Sequence, residues 1–224
     1  MTMSTAGEGF MQAALVASLT YGLGFASRQP SVARTLIKSV AVGGFMAASV
    51  ELGDHVLLSA GLAGCTIGST LLAMDPVRWR LMATSAFTVV GGCLLGLFAT
   101  LLDPDLMIEP VRWALAAAAA ATWAGYGWWL RPAIDEPRLP ALLLGLVLFL
   151  ATVVSLFVTA PSFSFPSPWT AFQAMGLLSL SAGIVGARQL RGIRLLGSER
   201  LTNWAAWFIY IVALISLSTL YIVI

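Results

Sequence analysis

The chain has 224 residues, 59% of them hydrophobic and 10% charged, with a formal net charge of +2 and a mean hydropathy of +0.91. That balance excludes a soluble globule, which needs far more polar surface than this sequence can supply. The small net charge averages over two differently charged faces; membrane lipids are the expected partners, and nucleic acid is not.

A helix crosses a bilayer with roughly 20 apolar residues. Eight such runs follow one another, at about 10–27, 34–52, 55–73, 79–102, 108–130, 139–160, 168–188 and 201–224. Backbone groups in hydrocarbon must be satisfied within the chain, so the runs are expected to be helices. The predicted fold is all-α: a polytopic membrane bundle of eight transmembrane helices in a single domain over 1–224.

The leader Met1–Gly9 carries Glu8 and no Lys or Arg, unlike the basic start of a secretory signal. An uncleaved first helix with an external N-terminus is therefore expected. The connection that follows holds Arg28 and Arg34, and Lys38 intrudes into the second run, where snorkelling to the near surface explains it. Glu51 and Asp54 come next, and His55 is expected to be interfacial, with a functional role as the alternative. The third and fourth runs carry Gly64 with Gly68 and Gly92 with Gly96, a four-residue spacing that signals close helix packing. Cys65 and Cys93 lie inside these runs and read as small packing residues.

Arg78 and Arg80 separate these two runs, and Asp103, Asp105 and Glu109 precede the fifth. The fifth run contains Ala116–Ala121 and ends in Trp123, Tyr126, Trp128 and Trp129, either an interface anchor or a ligand pocket. Arg131 and Arg138 lead into the sixth. A neutral loop with Pro161, Phe163, Phe165, Pro166 and Pro168 precedes the seventh, which carries Ser179 and Gly183. Arg188, Arg191, Arg194 and Arg200 lie between the last two runs. Eleven of the twelve Lys and Arg residues thus fall in alternate connections, and Arg112 is the exception. Cytoplasmic loops are enriched in Lys and Arg, so the alternation orients the bundle with both termini external, on the periplasmic side. The short loops fit a multi-pass protein of the bacterial inner membrane.

No P-loop, HExxH, GxSxG or paired intramembrane carboxylate occurs. A single His and two separated Cys give no basis for a metal or haem site, and no cofactor is expected. A small transporter is the least favoured class, because no ionisable coupling site lies at mid-membrane.

The segments AGLAGCTIGSTLL (60–72) and RWRLMATSAFTVVGGCLLGLF (78–98) resemble the third and fourth helices of the YhhN family of integral membrane lysoplasmalogenases. FQAMGLLSLSAGIVG (172–186) and NWAAWFIYIVALI (203–215) are similar to its seventh and eighth helices, and Lys38 opens the second helix as that family's Lys does. The resemblance implies eight helices and hydrolysis of the vinyl-ether bond of lysoplasmalogens. It also implies where catalytic groups belong. The third-helix Gly-Asp falls at Gly68–Ser69, the fourth-helix His at Gly91 or Gly92, and the seventh-helix Ser-Asp at Ser181–Ala182. In the eighth helix Tyr210 agrees, while the Gln or His position is Leu214. Protonating a vinyl ether requires a general acid, and Ser69, Gly91, Ala182 and Leu214 cannot supply one. No catalytic residue is expected at these positions.

The surviving polar positions Lys38, Ser69, Ser181, Asn203 and Tyr210 are expected in the cytoplasmic half of the bundle, as a lipid-binding set. Hydrogen bonding between helices is the competing role for them. The preferred expectation is a catalytically degenerate, lipid-binding or scaffolding subunit of a larger membrane complex. The alternative is an active lysoplasmalogenase using Tyr210, Lys38 and a water.

Overall fold

The computed structural model describes residues 5–133, 138–159 and 169–220. Among them are eight α-helices: α1 (Thr5–Gly24), α2 (Val32–Glu51), α3 (Val56–Met74), α4 (Arg80–Thr100), α5 (Pro110–Leu130), α6 (Arg138–Ser155), α7 (Thr170–Arg191) and α8 (Glu199–Ser218). The protein is all-α, and each helix falls on one of the eight apolar runs. The Pro/Phe loop from 161 to 168 and the two chain ends lie outside the described residues.

Four helices are long and apolar enough to cross a membrane: α3, α4, α7 and α8, with hydropathies of 1.7, 1.9, 1.4 and 1.6. The other four are diluted in different ways. Glu8, Gln12 and several Ser, Thr and Gly residues lower α1, and Arg34 and Lys38 lower α2. Arg112 and four Trp lower α5. The apolar part of α6 is short, Pro140–Ser155.

The helix ends follow from local chemistry. Ser31 caps α2 by accepting from the Arg34 amide at 3.2 Å, and Ser198 caps α8 through the Leu201 amide at 3.2 Å. His55 caps α3, its Nδ1 accepting from the Leu57 amide at 3.0 Å, so this imidazole has a structural task. Gly192, at φ 64°, closes α7 in the left-handed conformation that glycine adopts without a Cβ clash.

Helices α1, α2, α3, α4, α6, α7 and α8 pack around a shared core, with α8 touching α1, α2 and α3. Phe45, Leu58, Leu62, Leu94, Phe98, Leu214 and Leu217 fill it. Among the described helices α5 packs mainly on α6 and α7, and Arg112, Ala116 and Leu130 are its buried residues. The close approaches run through particular glycines. A Cβ on Gly64 would meet Val90 at 2.7 Å, on Gly68 the Phe87 ring at 2.8 Å, and on Gly91 Val147 at 2.7 Å. Gly92 corrects the sequence reading: a Cβ there meets nothing within 4 Å, and Gly91 is the packing glycine of this pair. Ser179 meets α6 by a hydrogen bond, 3.0 Å from Thr152 Oγ1.

Arg112, the exception to the charge alternation, is only 2% exposed. Its Nε lies 2.7 Å from Glu109 Oε2, its Nη1 donates to the Leu156 carbonyl, and its guanidinium stands 4.3 Å from the Trp169 ring centroid. The same contact helps end α6 at Ser155, short of the expected residue 160. There Val158 bridges to Leu102, and the Asp103 amide donates to the Phe157 carbonyl at 2.9 Å.

Candidate functional site

The C-terminal ends of α1, α3, α5 and α7 and the N-terminal ends of α2, α4, α6 and α8 line a partly open cavity of about 790 Å³. This is the end at which the Lys and Arg residues collect. All five residues of the expected lipid-binding set, Lys38, Ser69, Ser181, Asn203 and Tyr210, line it.

Their roles differ. The Ser69 and Tyr210 hydroxyls lie 3.1 Å apart, tying α3 to α8, and both oxygens also reach the Cys65 carbonyl. Ser181 Oγ donates to the Ala206 carbonyl at 2.8 Å, tying α7 to α8. The hydroxyl groups therefore hold helices together while forming part of the wall.

The cations are arranged otherwise. Lys38 does not snorkel outward, as its position in the sequence suggests; it turns into the bundle. Its Nζ lies 5.3 Å from the Tyr21 ring centroid and 5.4 Å from that of Trp207. Those two rings are 4.3 Å apart, and Trp207 Nε1 donates to the Ser18 carbonyl at 2.9 Å, which fixes the indole. A cation over aromatic faces gains about 0.5–2 kcal/mol and keeps its charge available on the other side. Arg34 Nε donates to the Tyr21 hydroxyl at 3.3 Å. Arg188 Nη1 donates to Asn203 Oδ1 and lies 3.8 Å from Glu199 Oε1, a carboxylate more than half exposed.

Arg34, Lys38 and Arg188 thus converge on one region, and Arg78 and Arg80 extend the basic lining toward the rim. Among the described residues the lining contains no Asp, Glu or His. Clustered like charges facing a low-dielectric wall repel one another unless an anion joins them. Phosphate suits such a set, because guanidinium groups bind it in a fixed fork and an ammonium adds a point charge.

The remaining candidates read from the sequence divide. Of the four positions at which the resemblance places catalytic groups, Ser69 and Ala182 line the cavity and Gly91 and Leu214 do not. Gly91 is pressed against Val147, and Leu214 is fully buried in the core, so neither site has space for a larger polar side chain facing the cavity. In the aromatic group of α5, Trp123 and Tyr126 line the cavity, Trp128 is 78% exposed, and Trp129 lies under Arg191, 5.3 Å from ring centroid to guanidinium. Both cysteines are free thiols, and no group of three or more metal-ligating side chains occurs among the described residues.

Sequence reasoning assigned no site role to Tyr21, Arg34, Arg188 or Trp207. A signal existed in the spacing. Arg34 precedes Lys38 by four residues, Arg188 follows Ser181 by seven, and Trp207 sits between Asn203 and Tyr210. Each shares a helix face with a residue already singled out. In comparisons with known proteins, no family model, no curated protein and no solved structure matches the chain.

Proposed function

We propose that this is a multi-pass membrane protein with eight spanning helices, whose basic-end cavity binds the phosphate head group of a membrane amphiphile without cleaving it. The carrying observation is the convergence of Arg34, Lys38 and Arg188 on an otherwise apolar cavity with no acidic lining residue among those described. In this reading the basic end faces the cytoplasm of a bacterial cell, both termini are external, and the membrane is the inner one. The spans α1, α2, α5 and α6 reach sufficient apolarity in the company of their neighbours, since Lys38 and Arg112 are turned inward. The resemblance to lysoplasmalogenases agrees with a lipid ligand carrying a single chain. The protein then acts as a lipid-binding or scaffolding subunit, and exposed Trp113 and Trp128 are candidate contacts for a protein partner.

The test is purification in a mild detergent followed by mass spectrometry of bound lipids and proteins. A stoichiometric phosphate-bearing lipid, lost on Lys38→Met, supports the reading; a protein free of such lipid contradicts it.

One observation favours a second reading, an active vinyl-ether hydrolase. The Tyr210 hydroxyl stands in the same cavity as Lys38. Protonation of the vinyl carbon, addition of water and collapse of the hemiacetal would release an aldehyde and the glycerophospho head group. Tyr210 would have to give up its contact with Ser69 to act as the acid. Aldehyde release from a lysoplasmalogen by the purified protein, abolished by Tyr210→Phe, would establish it.

A further inference from the structure

The basic cavity has an apolar flank that the head-group reading does not use. Leu81 of α4 and Leu142 and Leu146 of α6 line the cavity yet are 50%, 53% and 52% exposed. Across from them, Trp123 and Ala124 of α5 line the same space, and Ala124 is exposed as well. Helices α4 and α5 do not pack on one another; they face each other across the void, with the first half of α6 between them.

The sequence of α5 accounts for this gap. Its Ala116–Ala121 run presents side chains too small to fill space toward α4, so the helix is held by a few fixed points instead. At the acidic end Arg112 anchors it to Glu109, Trp169 and the Leu156 carbonyl. At the basic end the Tyr126 hydroxyl donates to the Gly183 carbonyl at 2.5 Å, and Arg191 donates to the Trp129 carbonyl. Both basic-end ties run to α7. Nothing comparable closes the side toward α4 among the described residues.

We infer that the trough between α4, α5 and the first half of α6 is an acyl-chain site open sideways to the bilayer. A lipid of the cytoplasmic leaflet slides its chain into the trough while its head group meets Lys38, Arg34 and Arg188. This rests on the reading that the cavity binds a phosphate head group. The two ends of the void are complementary to the two ends of one amphiphile: cations without lining acids at one, leucines and aromatic rings at the other. An acyl chain fills this apolar trough without the cost of wetting it.

The experiment uses the full chain in vesicles of phosphatidylethanolamine and phosphatidylglycerol. Two lysophosphatidic acid probes are compared, one with a diazirine at the chain end and one with a diazirine beside the glycerol. After irradiation, adducts are mapped by peptide mass spectrometry with and without unlabelled lysophosphatidic acid. The inference predicts competable chain-end adducts within 81–87, 120–127 and 142–149, reduced at least fivefold by Ala124→Trp, and glycerol-side adducts near Lys38. Chain-end adducts on the outer faces of α1 or α3, with glycerol-side adducts still near Lys38, would overturn the trough and leave the head-group site standing. Absence of competable adducts from both probes would overturn both.

Discussion

The Lys38 ammonium lies 5.4 Å from the centre of the Trp207 ring, which places the chain's one lysine inside the bundle rather than at its rim. The ring stabilises the cation without neutralising it. Lys38→Met is predicted to weaken binding of a phosphate-bearing lipid by about 1.4–2.8 kcal/mol, roughly 10- to 100-fold. Thermal stability of the ligand-free protein should be unchanged or raised, because an apolar side chain carries no desolvation cost. Lipid titration followed by native mass spectrometry, beside a melting curve in detergent, checks both halves.

Adjacent glycines in α4 should respond unequally. Gly91→Leu would drive a side chain into Val147, and Gly64→Leu in the neighbouring helix would drive one into Val90. Overpacking of this kind costs about 1–3 kcal/mol and forces helices apart. Gly92→Leu meets open space and should change stability by no more than about 0.5 kcal/mol. Aggregation temperature by size-exclusion chromatography after heating separates Gly91→Leu and Gly64→Leu from Gly92→Leu.

Arg112→Met is predicted to destabilise the attachment of α5. It leaves the Leu156 carbonyl without its donor and removes the contact with Trp169, a loss of about 1–3 kcal/mol. Arg112→Lys should recover only part of this, since an ammonium cannot span Glu109, the carbonyl and the ring as a planar guanidinium does. Limited proteolysis around residues 101–112 reports the change.

Asp54 gives the protein a pH dependence at its acidic end. Burial pushes its carboxyl up to about 6, opposed by the hydrogen bond it accepts from Ser49 Oγ at 2.7 Å. Between its ordinary value of 3.8 and about 6 the folded chain binds more protons than the unfolded chain. Stability from this group therefore falls as pH rises through that window and is level above it. Asp54→Asn should flatten the slope of melting temperature between about pH 4 and 6.5; an unchanged slope would assign it to other groups.

The helices were legible because each apolar run is long and each break carries charge, Pro or Gly. The polar wall was legible in part. Lys38, Ser69, Ser181, Asn203 and Tyr210 stand out as polar residues within apolar stretches, and all five line the cavity. Arg34 and Arg188 were hidden by their own neighbourhood, since an arginine at a helix end reads as a topological marker whichever way it points. Arg112 was hidden for the converse reason: its contacts with Trp169 and the Leu156 carbonyl are tertiary facts, although its pairing with Glu109 is local. The choice between Gly91 and Gly92 depends on one residue of helical phase, about 100° of rotation, which apolar neighbours on all sides do not fix.

The most direct measurement is native mass spectrometry of the intact protein released from its own membrane, side by side with Lys38→Met and Arg188→Gln. The account predicts that the unaltered chain retains one phosphate-bearing lipid per copy and that each substitution lowers its affinity for that lipid tenfold or more, with a visible drop in occupancy. An unaltered chain free of lipid, or equal occupancy in all three, would contradict it.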